Sequence, residues 1–288
     1  MSVSLQHQAQ ELVAAFPPLL LEAERVAHVV YQGLHGRRRA GTGETFWQFR
    51  RYEAGDSMNR IDWRQSARTQ RLFVREREWE AAQTAFIWAD CSGSMQYASS
   101  RNYSRKATRA QLLALALGCL LLRGGETIQW LNTHPIRVYG KNGLQRVAEQ
   151  MQMTGGKSIP PFVPLVGHGQ VLLCSDFLIT PDEFVASMDY YAAQKRRGIL
   201  LHILDPAEEQ FSFEGRVEFL GTEGEASLLL PNAGHMADLY QKRLDEHKKY
   251  LAHEAQKRGW FYVHHVTTTS PTTAVLQLYN LLMTSKGM

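Results

Sequence analysis

Three oxygen-bearing side chains stand at alternate positions directly after an apolar run that predicts a strand. The run covers Thr84–Ala89, and Asp90, Ser92 and Ser94 follow it within one short loop. Such a loop can aim every second side chain at one point, and carboxylate and hydroxyl oxygens suit Mg²⁺, Mn²⁺ or Ca²⁺ rather than zinc. The spacing therefore indicates a site for a hard cation. A plainer interpretation also stands, in which the Asp90 carboxylate only caps backbone amides of a strand-end turn.

A second carboxylate follows another predicted strand. Asp176 comes after the apolar run Val171–Cys174 and one serine. In a parallel sheet the carboxyl ends of the strands meet at one edge, which is where ligands bind in such folds. Asp90 and Asp176 are therefore expected to reach the same edge from two distant stretches of chain. This convergence favours the cation site over an isolated turn.

From residue 84 onward, short apolar runs alternate with longer helical patterns. This alternation predicts an α/β fold with a doubly wound, mostly parallel sheet that is covered by helices on both faces. The predicted strands are Thr84–Ala89, Thr127–Leu131, Val171–Cys174, Ile199–Leu204 and Phe261–His265. The predicted helices are Ser104–Arg123, Leu144–Met153, Pro181–Arg197, Met236–Arg258 and Thr272–Met283. A hairpin is predicted from Val217–Leu220 and Ser227–Leu230, which flank a turn that begins and ends with glycine.

The first 80 residues have a different character. Residues 11–34 show a helical pattern that is interrupted by two prolines, and Arg71–Arg77 alternates like an exposed or edge strand. Residues 36–80 contain 11 arginines and 7 acidic residues, with aromatic residues between them. We expect residues 1–80 to form a helical and arginine-rich extension packed on a main domain of residues 81–288.

Composition narrows the class of protein. The chain has 288 residues, 44% of them hydrophobic, and a net charge of +4, values that are ordinary for a globular protein with a sizeable core. Its three cysteines, Cys91, Cys119 and Cys174, lie far apart, which argues against a disulfide framework or a zinc site and favours a reducing compartment. The longest apolar run has about 11 residues, against the roughly 20 that a spanning helix needs. We therefore expect a cytoplasmic protein without a membrane span or a secretory signal.

The chain resembles the von Willebrand factor type A domain, a Rossmann-type fold. That family places Asp-x-Ser-x-Ser after its first strand, a threonine on a second loop and an aspartate after a later strand, and together they form a metal-ion-dependent adhesion site. Asp90, Ser92 and Ser94 match the first part, and Asp176 matches the later aspartate. The resemblance implies Mg²⁺, or Mn²⁺ or Ca²⁺, as the bound cofactor.

The second loop of this chain departs from the family pattern. The family often has Gly-Gly-Thr there, whereas this chain has Gly155-Gly156-Lys157-Ser158. Ser158, or Thr154 before the glycines, could supply the missing hydroxyl. Lys157 could instead place an ammonium near the site and weaken cation binding. These residues do not form a phosphate-binding P-loop, because the glycine required five positions before the Gly-Lys pair is absent.

An irregular motif in the extension is similar to a bacterial family called domain of unknown function 58. The motif runs from Arg50 to Arg68 and includes Tyr52, Gly55-Asp56 and Asn59-Arg60-Ile61-Asp62-Trp63. Members of that family are commonly encoded beside MoxR-type AAA+ ATPases, so the resemblance implies such an ATPase as a partner. Many members begin with membrane-spanning helices, and this chain resembles a shorter member without them.

The arginine-rich segment has three interpretations. In the first, Asp56 and Asp62 pair internally with Arg60, Arg64 or Arg68 and hold a long loop in place. In the second, the segment docks an acidic partner. In the third, arginines and aromatic rings of residues 36–80 bind nucleic acid, which is disfavoured because acidic residues are evenly mixed in. The residues predicted to bind a partner are Arg37, Arg38, Arg39, Arg50, Arg60, Arg64 and Arg68.

These observations favour a non-enzymatic protein-interaction module. A divalent cation at Asp90, Ser92, Ser94 and Asp176 would keep an open coordination position, which a carboxylate of an acidic protein ligand completes. One alternative is a metal-dependent phosphoesterase, although the sequence shows neither a general base nor a second metal cluster. The other alternative is nucleic-acid binding through the arginines of residues 36–80. The histidines have no ligand spacing and are expected to be solvated or packed in the core.

Overall fold

A computed structural model describes most of the chain as two compact units. One unit lies within Met1–Gly33 and Gln83–Met288, and the other within Leu34–Ala82. The described residues are 18–35, 46–53, 56–68, 71–77, 83–139, 141–153, 156–222, 224 and 226–284.

Ten strands and eight α-helices are formed by the described residues. The strands are β1 (Phe46–Arg51), β2 (Phe73–Arg77), β3 (Thr84–Ala89), β4 (Thr127–Trp130), β5 (Ile136–Val138), β6 (Gly169–Ser175), β7 (Gly198–Leu204), β8 (Val217–Phe219), β9 (Leu228–Leu230) and β10 (Phe261–Val266). The helices are α1 (Pro18–His35), α2 (Trp63–Ser66), α3 (Lys106–Arg123), α4 (Lys141–Met153), α5 (Pro181–Ala193), α6 (Pro206–Gln210), α7 (Ala237–Lys257) and α8 (Pro271–Thr284).

A six-stranded sheet forms the centre of the larger unit. Its strand order is β10-β7-β6-β3-β4-β5, and every neighbouring pair is parallel except β4 with β5. The strand order reverses at β3, because later strands are added on both sides of it. The predicted mostly parallel α/β sheet is confirmed, and so is the inserted hairpin, which is formed by β8 and β9.

Helices cover both faces of this sheet, which explains the nearly continuous apolar runs of its central strands. Every residue of β3 and β7 is buried. On one face, Phe86, Trp88 and Leu173 pack with side chains from α5 and α7. On the other face, α3 contacts four strands of the sheet and also helices α4 and α8. Because β6 pairs in parallel with both β3 and β7, the carboxyl ends of these three strands lie side by side.

The smaller unit contains an antiparallel pair of strands, β1 and β2, and a bridge between Ile61 and Val74. The alternation of residues 71–77 predicted β2 correctly, but β1 was missed. Asp62 begins α2, where its carboxylate accepts a hydrogen bond from the Gln65 amide. The structure thus gives Asp62 a helix-capping role.

Some helix and strand bounds differ from the sequence-based prediction. Helix α1 spans Pro18–His35 and has its proline in the first turn, where proline is tolerated. Residues 11–17 of the predicted helical pattern lie outside the described residues. The short elements β5 and α6 were not predicted, since three to five residues are too few to show a hydrophobic period. None of the described helices is long and apolar enough to cross a membrane.

Gly198 at the start of β7 allows an indole ring to lie directly against the sheet. A Cβ at this position would lie 2.6 Å from an atom of the Trp260 ring. Trp260 is buried, and its Nε1 donates a hydrogen bond to the Arg196 carbonyl at 2.9 Å. The ring therefore has little freedom to move away.

We predict that Gly198→Ala lowers the free energy of unfolding by about 1–3 kcal/mol, because the added methyl group overpacks this contact. Urea denaturation measures the loss. The matched control is Gly33→Ala in α1, where a Cβ meets nothing within 4 Å. That change should instead stabilise the protein by about 0.5–1 kcal/mol, because alanine favours helix. Equal stability of Gly198→Ala and the wild type would contradict this packing argument.

Candidate functional site

The loop after β3 holds the Asp90 carboxylate through two short hydrogen bonds. The Ser92 amide donates to Asp90 Oδ1 at 2.7 Å, and the Ser175 hydroxyl donates to Oδ2 at 2.6 Å. The hydroxyl oxygens of Ser92 and Ser94 are 3.3 Å apart. The structure therefore brings Asp90, Ser92 and Ser94 together at the carboxyl edge of the sheet. Ser175, at the end of β6, ties this loop to the neighbouring strand.

Burial makes Asp90 a weaker acid than an exposed aspartate. Its side chain is fully buried, and loss of hydration raises the pKa of Asp90 to about 6, against the opposing hydrogen bonds from Ser175 and Ser92. The negative charge of Asp176 raises the pKa of Asp90 further. The two carboxylates thus interact electrostatically, and a bound cation would relieve that repulsion.

Asp176 is paired with a buried lysine that the sequence analysis did not single out. Lys106 Nζ lies 2.9 Å from Asp176 Oδ2 and 2.5 Å from Glu208 Oε1. The side chains of Lys106 and Asp176 are both 0% exposed, and that of Glu208 is 18% exposed. Lys106 opens α3, Asp176 follows β6 and Glu208 lies in α6, so three separate elements meet at one ammonium.

The two carboxylates keep the ammonium charged despite its burial. Loss of hydration by itself would lower the pKa of Lys106, but the charges of Asp176 and Glu208 outweigh it and raise the pKa. A buried ion pair of this kind is retained only with close geometry and additional hydrogen bonds. Glu208 meets that condition, since its Oε2 accepts the Asp205 amide at 2.8 Å.

The backbone at Asp176 adopts a conformation that is rare for a residue with a side chain. Phe177 has a φ of 53°, in the left-handed region, although its ring is buried. The Phe177 amide donates to the Ser175 hydroxyl at 2.9 Å, and the Leu178 amide donates to Asp176 Oδ1 at 3.2 Å. At this turn, Asp176 Oδ1 accepts the Leu178 amide while Oδ2 contacts Lys106 Nζ. Such local strain persists where the surrounding structure determines it strongly.

The second predicted loop lies beside the first. The Gly156 amide donates to the Cys91 carbonyl at 3.3 Å, and a Cβ on Gly156 would come within 3.0–3.1 Å of the Cys91 backbone. This close approach favours glycine, because a side chain here would press on the Cys91 backbone. Ser158 is half-buried, and Lys157 is exposed. Thr154, the other predicted hydroxyl, lies outside the described residues.

A groove of about 580 Å³ opens next to these two loops. The faces of the groove include Trp88, Trp130 and Phe162, with Cys91 and Lys157 beside them. Phe162 is 53% exposed, which is unusual for a phenylalanine. Lys157 is the charged residue among those that line the groove. The groove therefore offers aromatic surface and one positive charge next to the oxygen cluster.

The donor set at the Asp90 loop fits a hard divalent cation. One carboxylate and two hydroxyl oxygens are the ligand types that Mg²⁺ accepts, and among the described residues no ammonium is hydrogen-bonded to the buried Asp90 carboxylate. Asp176 differs, because its Oδ2 is engaged by Lys106. Within the described ranges, no three His, Cys, Asp or Glu side chains converge as metal ligands. Any cation here would therefore depend on hydroxyl oxygens as well.

The predicted partner-binding arginines all belong to the smaller unit, which lies within Leu34–Ala82. Arg50 Nη2 pairs with Asp56 Oδ1 at 2.8 Å within the smaller unit, which supports an internal role for Asp56. Arg64 and Arg68 are exposed, and Arg60 ends a 3₁₀ turn. Arg37, Arg38 and Arg39 lie outside the described residues.

Several site residues were missed by sequence reasoning. Ser175 and Glu208 contact the predicted ligands only after folding, and Lys106 is one polar residue at the start of a predicted helix. His247 was expected to be solvated or in the core, but its Nε2 lies 3.4 Å from the Asp176 carbonyl oxygen. The sequence did contain one signal for Ser175, because this residue directly precedes Asp176 at the end of a predicted strand.

Residues 48–153 match the profile of a family described as "Protein of unknown function DUF58". The match supports the resemblance to the DUF58 family that the Arg50–Arg68 motif indicates. It covers the smaller unit from residue 48 onward, the Asp90 loop and helix α3, so the DUF58 match includes both Asp90 and Lys106. No curated protein is significantly similar to the chain.

Two solved structures are weakly similar to the chain, each at 12% sequence identity. The conserved hypothetical protein BatB from Bacteroides thetaiotaomicron aligns with a TM-score of 0.43 over 70% of this chain and 100% of its own. An aerotolerance-related membrane protein from Bacteroides fragilis, with multiple mutations to serine, aligns with a TM-score of 0.38 over 69% and 100%. Neither similarity indicates a function for this chain.

We predict that Ser175→Ala lowers the free energy of unfolding by about 1–3 kcal/mol, because Oδ2 of the buried Asp90 carboxylate loses the hydrogen bond that Ser175 donates. The matched control is Ser187→Ala. Ser187 is also buried, but its hydroxyl has no hydrogen-bond partner among the described residues. Removal of that hydroxyl should have almost no effect. If chemical denaturation gave equal losses for both variants, the Ser175–Asp90 hydrogen bond would not have the importance assigned to it.

Proposed function

We propose that the chain is a non-enzymatic protein-interaction module whose site is the carboxyl edge of the central sheet. In this proposal, a divalent cation such as Mg²⁺ is held by Asp90, Ser92 and Ser94, with Asp176 close by, as in a metal-ion-dependent adhesion site of the von Willebrand factor type A kind. Ser158 or Thr154 of the second loop would supply a further hydroxyl. A carboxylate of an acidic partner binds at the open position of the cation.

The observation that carries the proposal is the excess of buried negative charge at this edge. Asp90 and Asp176 are fully buried and the Glu208 side chain is 18% exposed, whereas Lys106 is the one fully buried ammonium or guanidinium among the described residues. A cation would lower the electrostatic cost of keeping these carboxylates ionised, because charges interact strongly away from water. Burial raises the pKa of Asp90 to about 6, which reflects this cost.

The proposed partner is a MoxR-type AAA+ ATPase, with the pair acting in complex assembly or maturation in the cytoplasm. The DUF58 match supports this choice by family resemblance. The groove beside Cys91 supports a protein ligand rather than a small anion, since its aromatic faces can take an apolar side chain next to the bound carboxylate. Lys157 would attract further acidic residues of that partner. The arginines of residues 36–80 would add a second contact.

Asp90→Ala should weaken binding of the ATPase by about 2 kcal/mol or more, roughly thirtyfold, because the cation and the partner carboxylate would both lose their anchor. Isothermal titration of nucleotide-free ATPase into the full chain, in about 5 mM MgCl₂, measures the change in affinity. The matched control is Asp245→Ala, an exposed aspartate on α7. Unchanged affinity of the Asp90 variant would exclude a cation bridge.

Mg²⁺ affinity should fall as the pH is lowered. Asp90 must lose its proton to bind the cation, and its pKa is raised to about 6. Binding should therefore be nearly constant above about pH 7 and weaken by up to about tenfold per pH unit below pH 6. Titration of MgCl₂ into the chain at several pH values, with circular dichroism to verify the fold, tests this. An affinity that stays constant between pH 5 and pH 7.5 would show that Asp90 is not a ligand.

A further inference from the structure

We propose that Lys106 is a tethered cation that competes with the divalent metal ion for Asp176, so that the site has a lysine-closed and a metal-loaded form. This inference rests on the proposed cation site and adds regulation to it. It assigns a role to a lysine that lies 16 residues beyond Asp90 and outside the Asp-x-Ser-x-Ser loop. The closed form is the one that the structure displays.

The competition follows from the contacts of Asp176. Lys106 Nζ lies 2.9 Å from Oδ2, and the Leu178 amide lies 3.2 Å from Oδ1. Both carboxylate oxygens are thus engaged by the chain itself. A divalent cation that uses Asp176 must displace the ammonium from Oδ2 or bind close to it. Repulsion between an ammonium and a divalent cation within several ångströms is strong in a partly dehydrated site.

Lys106 can release Asp176 without becoming unpaired. Its second carboxylate, Glu208, lies 2.5 Å from Nζ on a different element. The Asp205 amide holds the other oxygen of Glu208, so this acceptor is fixed independently of Asp176. When Lys106 releases Asp176, its ion pair with Glu208 therefore remains. A lysine that had Asp176 as its one carboxylate partner would instead be left as an isolated buried charge. That isolation is what makes broken buried pairs so costly.

The surroundings of Lys106 hold the ammonium at this position. Its side chain is 0% exposed, its backbone amide donates to the Tyr97 carbonyl at 3.2 Å, and its Nζ lies 6.0 Å from the centre of the Tyr97 ring. Tyr97 belongs to the segment that leads from the Asp90 loop into α3. A shift of that segment on partner binding would move the lysine and the cation ligands together. The state of the site is thereby coupled to the loop that forms it.

The test is a titration of MgCl₂ alone into the full chain, without any partner. Lys106→Gln removes the ammonium and should bind Mg²⁺ at least about tenfold more tightly than the wild type. The matched control is Lys248→Gln, since Lys248 Nζ lies 2.8 Å from the Glu209 carboxylate instead and is partly exposed. This control should bind Mg²⁺ like the wild type. Thermal melts verify that each variant is folded.

Glu208→Gln provides a second variant with the opposite expected sign, in case Lys106→Gln does not fold. This variant leaves Asp176 as the remaining carboxylate partner of the Lys106 ammonium, so the population of the closed form should increase. Mg²⁺ should therefore bind at least severalfold more weakly. Unchanged or tighter binding by this variant would overturn the competition.

The outcomes separate this inference from the proposed function. Mg²⁺ binding by the wild type with the same affinity in Lys106→Gln would overturn the competition and leave the cation site intact. If Lys106→Gln bound Mg²⁺ and the wild type did not, the competition would be supported, but the proposed metal-dependent function of the wild type would be overturned. No binding by either protein would overturn both.

Discussion

The site depends on the hydrogen bonds and the ion pairs that compensate for the burial of several carboxylates at the carboxyl edge of the central sheet. Parallel strands β3 and β6 deliver Asp90 and Asp176 to neighbouring positions, and helix α6 adds Glu208. Burial of an unpaired charge is among the costliest features that a protein can contain. Hydrogen bonds from Ser92 and Ser175 offset part of this cost at Asp90, and the Lys106 ammonium offsets it at the other two carboxylates.

These two solutions give the two aspartates different chemistry. Asp90 is held by neutral donors that only partly offset its burial, so its pKa stays raised and no internal cation is assigned to it among the described residues. Asp176 already has an internal cation, and the strained turn at Phe177 holds it there. One side of the edge is therefore open to a ligand and the other is closed by the chain itself. In the proposed function, a partner that binds at the open side would act on a site whose electrostatic state can change.

The sequence predicted the parts of this site that follow from regular alternation. Strand β3 was predicted with its observed bounds, and the parallel topology then placed Asp90 and Asp176 at one edge without knowledge of any contact. One interpretation of the sequence placed the Lys157 ammonium near the site, and the structure places a different lysine, Lys106, against Asp176. No local pattern distinguishes these lysines, because Lys106 is buried only by the packing of α3 against elements far away in the chain. Glu208 was missed for the same reason.

The central claim is that this edge binds a divalent cation through the Asp90 loop. Anomalous diffraction from crystals grown in MnCl₂ tests it most directly, because manganese accepts the same oxygen ligands as magnesium and its position can be located without ambiguity. The account predicts one anomalous peak within coordination distance of the Ser92 and Ser94 hydroxyls and next to the Asp90 carboxylate. A map with Lys106 between the carboxylates and no anomalous peak at this loop would contradict it.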